Sequence, residues 1–303
     1  MRGKIYLMLI GFAVFTGATF NLAKYSVSYF SPATAAGWRF GIAAIIMVSI
    51  LRIQKKIKLG IIKENGKKYI LLGILGIFGF NALFFLGMNH TSPLNAALIM
   101  GTNPVLTTVL AYLILKTSIS GKQLLGIFFA LSGVILVLSH GSWEVIRTLS
   151  FSIGDSFILL GNFCWALYGI LSRKYLRNSS SMETTTYTMV VGSIALILLA
   201  VVIPQPQPLS NVSLSAWGAI LFMSIFTTVL GYLWWNKGME EIGASNTSIF
   251  FNLVPVVTMV ISAVSGTPVT IIQMLGMFLV ILGVLTSSGF INFRRVHKVS
   301  SQI

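Results

Sequence analysis

The chain has 303 residues, of which 55% are hydrophobic and 9% charged, and its mean hydropathy is +0.88. A water-soluble domain carries about 25% charged residues, so this composition excludes soluble, collagen-like and disordered classes and points to an integral membrane protein. Cys164 is the single cysteine, which rules out an internal disulfide, and the net charge of +15 has to be tested as loop charge before a nucleic-acid partner is invoked.

A membrane-crossing helix needs about 20 apolar residues. In chain order the first such stretch is Ile5–Ala23. It follows Arg2 and Lys4 as a signal-peptide core would, but its length and the lack of a small-residue cleavage site make it a retained helix. Pro32–Leu51 comes next and carries Arg39, followed by Tyr69–Asn89, Pro93–Leu115 and Lys122–Ser139. The second half supplies Ile153–Lys174, Met182–Ile203, Ser215–Lys237, Ala244–Val264 and Val269–Phe290. Stretches of this length without period-two alternation favour helices over a transmembrane barrel. The predicted fold is therefore all-α, with ten transmembrane helices.

Loop charge orients these spans. With the N-terminus inside, 18 of the 21 Lys and Arg residues fall in inner segments, Lys24 and Arg147 fall outside, and Arg39 lies within the second span. That bias predicts a multi-pass protein of the cytoplasmic membrane with both termini cytoplasmic. Loops around Lys24, His90, Arg147, Gln207 and Gly266 then face outward. Topology accounts for the positive charge, no nucleic-acid motif is visible, and the expected partners are the lipid bilayer and a small-molecule substrate. A homodimer is compatible with the sequence but not specified by it.

The chain also matches itself at an offset of 151 residues. Asn103-Pro104-Val105 in the fourth span aligns with Val254-Pro255-Val256 in the ninth, Gly87-Met88 with Gly238-Met239, and, after a one-residue gap, Leu125-Gly126 with Leu275-Gly276 and Gly133-Val134 with Gly283-Val284. Residues 1–150 and 151–303 thus read as two five-helix repeats, linked by residues 140–152. Five is odd, so the second copy is inverted relative to the first. Inverted repeats place a substrate near the bilayer midplane between the halves. Gly126 with Gly133, and Gly276 with Gly283, each share a helix face and suit close backbone packing.

The segment from Tyr232 to Met239, with Ile242-Gly243-Ala244-Ser245, Asn252 to Val256 and their first-half counterparts, resembles the drug/metabolite transporter superfamily of EamA type. Ser31-Pro32 leading to Arg39-Phe40, and Gly154-Asp155 leading to Trp165-Ala166-Leu167-Tyr168 and Ser172-Arg173, fit the same pattern. The resemblance implies export of an amino acid or a similar compound. Two departures from the family pattern stand out. Lys116-Thr117 and Gly266-Thr267 stand where Gly-Glu is common after the fourth and ninth spans, and Thr16-Gly17 stands where a tryptophan and glycine are common in the first.

Counting about 1.5 Å per residue puts Asn81, Asn103, Asn162 and Asn252 near the midplane. Amides at that depth need partners, because lipid offers none. Four at one height, in both halves, are expected to line a central pocket beside Trp165 and Tyr168. The alternative is that they bond helix to helix. Arg39, below the outer surface, must face protein or water. It either binds a substrate carboxylate or bonds loop or helix-end carbonyls. Pro104 and Pro255 bend their spans or free a carbonyl for a substrate ammonium. Lys24 is expected to reach toward the interface.

The acidic residues, Glu64, Glu144, Asp155, Glu183, Glu240 and Glu241, all fall in loops or at span ends, and His90, His140 and His297 are far apart. No catalytic pair, metal-ligand spacing or phosphate loop is present, so no cofactor is expected. The sequence therefore reads as a secondary carrier for a small polar metabolite. The runner-up is a membrane-embedded enzyme or translocase acting on a lipid intermediate, for which only residues 53–68 would supply an interfacial helix. The missing midspan carboxylate favours facilitated diffusion or exchange, with Asp155 the group through which a proton could couple.

Overall fold

The computed structural model describes residues 2–55, 57, 59–139, 141–144, 152–266 and 268–287. Lys56, Lys58, His140, Arg147, Thr267, Phe290, Arg294, Arg295, His297 and Lys298, and with them most of the proposed linker, lie outside the described residues.

The helices in the first half are α1 (Arg2–Ser26), α2 (Pro32–Ile53), α3 (Leu59–Leu72), α4 (Phe80–His90), α5 (Pro93–Met100), α6 (Asn103–Leu115) and α7 (Gly121–Leu138). The second half has α8 (Ile153–Tyr175), α9 (Ser181–Val202), α10 (Leu214–Phe222), α11 (Tyr232–Glu241), α12 (Ala244–Ser248), α13 (Leu253–Val264) and α14 (Ile271–Ser287). No strand occurs among the described residues. Local chemistry sets the boundaries. Ser31 and Ser92 each precede a proline at the start of a helix, and their hydroxyls accept from the Thr34 and Asn95 amides. Ser120 with Gln123, and Ser180 with Glu183, form capping boxes at α7 and α9.

Eight helical rods are long and apolar enough to cross a membrane, among the described residues. They include Gly60–His90, in which α3 and α4 are joined by the π-helical stretch Gly73–Gly79, and Leu214–Glu241, in which α10 and α11 are joined by Met223–Gly231. The third rod thus begins well before Tyr69, where the apolar run starts. Its charged first turns carry Lys63, Glu64, Lys67 and Lys68, and residues 59–68 are a continuation of the rod rather than a separate interfacial helix. The fifth and tenth expected spans are shorter apolar helices, within Gly121–Val137 and Ile271–Gly283.

Proline breaks two spans. α5 ends at Met100 and α6 restarts at Asn103-Pro104, while a 3₁₀ turn, Ile249–Asn252, precedes α13 and its Pro255. A proline supplies no amide to the preceding turn, so the helix restarts there.

The most extensive helix pairings all join the first half to the second: α7 with α14, α2 with α9, α4 with α8 and α1 with α13. Small residues permit close approaches here and between the π stretch Gly73–Gly79 and α8. A Cβ on Gly133 would sit 2.6 Å from the Gly276 carbonyl oxygen, and one on Gly76 would sit 2.4 Å from Tyr168. The fully buried core, with Phe40, Phe85, Trp165, Tyr168, Trp235 and Phe251, lies between the halves. Ile45, Leu198, Phe128 and Phe278 project outward and are more than half exposed. An apolar exterior of this kind suits lipid.

Candidate functional site

Three cavities lie in the described structure around α1, α8, α11 and their neighbours. The central one has a volume of about 30 Å³ and is walled by residues of both halves, among them Phe12, Thr16, Thr19, Arg39, Trp165 and Tyr232. Trp165 anchors it. Its ring lies 4.8 Å from that of Tyr232, stacks on Tyr168 at 5.4 Å, and meets Phe80 at 5.2 Å and Trp235 at 5.4 Å. Phe251 closes the cage at 5.0 Å from Trp235.

Arg39 is 3% exposed, brought here by the tight α2–α9 pairing and the π-helical stretch Met223–Gly231. Its Nε donates to Thr228 Oγ1 at 2.8 Å, and its guanidinium lies 5.0 Å from the Phe40 ring centre and 5.8 Å from that of Phe85. No carboxylate pairs with it among the described residues. A threonine hydroxyl in a π-helical stretch thus takes the place of the loop or helix-end carbonyls anticipated as its structural partners. Nearby, Thr16 Oγ1, Asn81 Oδ1, Trp165 Nε1 and Trp235 Nε1 are buried polar atoms without a hydrogen-bond partner. Each such group costs about 1–3 kcal/mol when left unmet. The cavity is therefore apolar in its walls but holds one cation and unpaired polar atoms.

The expected site residues divide. Arg39 and Trp165 line the cavity, and Tyr168 backs Trp165. Asn81 sits behind Tyr232, donating to its hydroxyl at 3.1 Å and to the Ile77 carbonyl at 2.8 Å. Asn103 and Asn162 turn to each other: Asn103 Nδ2 donates to Asn162 Oδ1 at 2.9 Å, and Asn162 Nδ2 donates to the Ile99 carbonyl at 2.9 Å and to Thr102 Oγ1 at 3.1 Å. They knit α8 to the break between α5 and α6. Asn252 is 7% exposed and ends the 3₁₀ turn next to Phe251. None of the four amides is on the wall of the central cavity.

Sequence reading passed over Phe12, Thr16, Thr19, Thr227, Tyr232 and Phe251. Thr19 and Thr227 share a 2.6 Å hydrogen bond across the cavity wall. Thr16 and Tyr232 both stood in segments singled out for other reasons, and that nearness was the available signal.

A wider cavity of about 1190 Å³ opens on the Lys24 side, with Asn21, Thr91, Ser215 and Ser265 on its wall. Below it α1 and α13 are zipped: Ser262 Oγ donates to Asn21 Oδ1 at 2.9 Å and Thr258 Oγ1 to the Gly17 carbonyl at 2.9 Å. A Cβ on Gly17 would meet Val257 at 2.6 Å, so the glycine is required by this approach. Lys24 reaches the end of α4 rather than the interface, donating to the Met88 and Asn89 carbonyls at 3.0 and 3.3 Å. On the opposite side a cavity of about 210 Å³ lies beyond Tyr168 and Asn236.

The family model for the EamA-like transporter family matches residues 3–139 and 152–289. The chain is 58% identical over 288 residues to the uncharacterized transporter YyaM of Bacillus subtilis (strain 168), covering 95% of this chain and 94% of that one. It is 28% identical over 282 residues to an uncharacterized transporter of Archaeoglobus fulgidus, covering 93% and 97%. A solved crystal structure superposes with a TM-score of 0.71 at 16% identity, covering 96% of this chain and 98% of that one, a likeness of fold.

Proposed function

We propose that this chain, which belongs to the EamA-like transporter family, is a ten-helix secondary carrier of a small solute bearing a carboxylate, an amino acid or related compound, with export favoured. Two inverted five-helix repeats, 1–150 and 151–303, build it. The packing supports this symmetry. α1 rests on α13 as α8 rests on α6, and α2 pairs with α9 and α7 with α14. The π-helical stretches and the proline breaks recur in both halves. At 18 residues α7 is about 27 Å long, close to the hydrocarbon thickness, which supports counting it, and α14 with it, as further spans.

The observation that carries the reading is Arg39, a buried cation with no carboxylate partner among the described residues, on a narrow cavity between the halves. A charge in this setting needs a partner. A solute carboxylate supplies one, while Trp165, Tyr232 and Phe251 hold its apolar part. Thr16 Oγ1 and Trp165 Nε1 are then available to its remaining polar groups. A cavity of about 30 Å³ admits about one water, so its walls must part before a solute enters. The flanking cavities on either side of the narrow central one support alternating access.

The 18-to-2 split of loop charge supports a cell-membrane location with both termini on the cytoplasmic side. The larger cavity then faces out. Uptake into proteoliposomes, from a panel of labelled amino acids and their decarboxylated amines, with and without a pH gradient, tests the reading. Carboxylate-bearing solutes should enter and the amines should not.

A further inference from the structure

The smaller cavity has features that the central site does not use. Arg173 and Arg177 stand on its wall with Ser179, Thr184, Asn236 and Glu240. Its one carboxylate, Glu240, is engaged by the Ser181 hydroxyl and lies 3.6 Å from Lys237 Nζ. Glu183, close by on α9, accepts the Ser180 amide and hydroxyl at 2.9 and 2.8 Å as a helix cap. Arg173 and Arg177 are exposed to the cavity, and no carboxylate pairs with either among the described residues. Asn236 spends both amide hydrogens, on Tyr168 Oη at 2.9 Å and Thr185 Oγ1 at 2.8 Å, which leaves its Oδ1 as the acceptor it can offer. Tyr168 in turn stacks on Trp165, the wall of the central cavity. One layer, Asn236–Tyr168–Trp165, therefore separates the two spaces.

We propose that this cavity is a cytoplasmic loading site. Arg173 and Arg177 hold the carboxylate of an arriving solute and Asn236 Oδ1 accepts from its donor end, before the layer opens to Arg39. The site rests on the carrier reading above for its side of the membrane and for its solute class. The volume of about 210 Å³ leaves room for a small organic anion. The two guanidinium groups also make the cleft a positive funnel, which concentrates anions by about 10–10³-fold.

Cysteine chemistry tests this without knowing the solute. Cys164→Ser removes the native thiol, and Thr184→Cys, with Met239→Cys as a second reporter, puts one on the cavity wall. The protein is placed in phosphatidylcholine vesicles and treated from each side with a methanethiosulfonate carrying a sulfonate or a trimethylammonium group. The expected result is reaction from the inner face, with the anionic reagent faster by about tenfold or more. Adding Arg173→Gln and Arg177→Gln should bring that ratio toward one, and millimolar glycine should slow the anionic reagent. Reaction from the inner face with no charge preference overturns the loading site and leaves the orientation standing. Reaction from the outer face alone overturns the orientation, and with it this site. Protection by phosphatidylglycerol in the vesicles and not by glycine identifies a lipid phosphate as the occupant and also overturns the proposal.

Discussion

Asn162→Leu should unfold the protein more readily while leaving solute affinity nearly intact. The side chain makes three bonds. It accepts from Asn103 at 2.9 Å and donates to the Ile99 carbonyl at 2.9 Å and to Thr102 Oγ1 at 3.1 Å. Side-chain hydrogen bonds between membrane helices average about 0.6 kcal/mol and reach about 1.7 kcal/mol, so three amount to about 2 kcal/mol. The Asn103 amide is then left with a buried donor unmet, at a further cost of about 1–3 kcal/mol. A loss of about 3–5 kcal/mol is expected, read as a shift in denaturant titration of the purified protein. Asn103→Leu in the same background should cost less than it does alone, because its partner is already gone, giving a coupling of about 1–2 kcal/mol. The apparent KM of the surviving protein should change by less than about threefold, since neither amide lines the central cavity. Wild-type stability together with a KM raised tenfold or more would place Asn162 in contact with solute and refute this reasoning.

Gly76→Ala should cost about 1–3 kcal/mol and alter tryptophan fluorescence, because its Cβ would fall 2.4 Å from Tyr168 and push it against Trp165; unchanged emission and stability would contradict the close packing. Gly60→Cys, where a Cβ meets nothing within 4 Å, should react with impermeant maleimide only from the cytoplasmic side; labelling from outside would reverse the topology. Asp155, buried and bonded by Thr91 Oγ1 at 2.5 Å, stands in the first turn of α8. Asp155→Asn should retain gradient-responsive uptake, and loss of that response with exchange intact would make this carboxylate the coupling group.

The positions of the spans could be read from apolar runs because lipid rewards them directly, and the breaks at Pro104 and Pro255 could be read from the missing amide. The early start of the third rod could not. Lys63, Glu64, Lys67 and Lys68 end the apolar run, yet a helix continues past the membrane surface where charges meet water. The π-helical stretches, Gly73–Gly79 and Met223–Gly231, consist of residues that suit an ordinary helix equally well. The candidate site was half visible for one geometric reason. Counting residues gives depth along the membrane normal but not rotation about the helix axis. Asn103 and Asn162 do share a level, yet rotation turns them to each other, while Thr16, Thr19 and Tyr232 turn to the cavity. Arg39 was legible because a charge within a span must face protein or water wherever it points, and Trp165 because it stands away from the span ends where tryptophan is common.

The most direct test of the carrier reading is transport by Arg39 variants in proteoliposomes, with folding of each checked by size exclusion. Arg39→Gln removes the buried charge and keeps hydrogen-bonding capacity, and Arg39→Lys keeps the charge. For a carboxylate-bearing solute transported by the wild type, Arg39→Gln should raise the apparent KM by at least about tenfold, equivalent to about 1.4 kcal/mol or more, and Arg39→Lys should recover part of that loss. A well-folded Arg39→Gln protein that transports the same solute with wild-type KM would contradict the assignment of Arg39 as the carboxylate partner, and with it the proposed chemistry of the site.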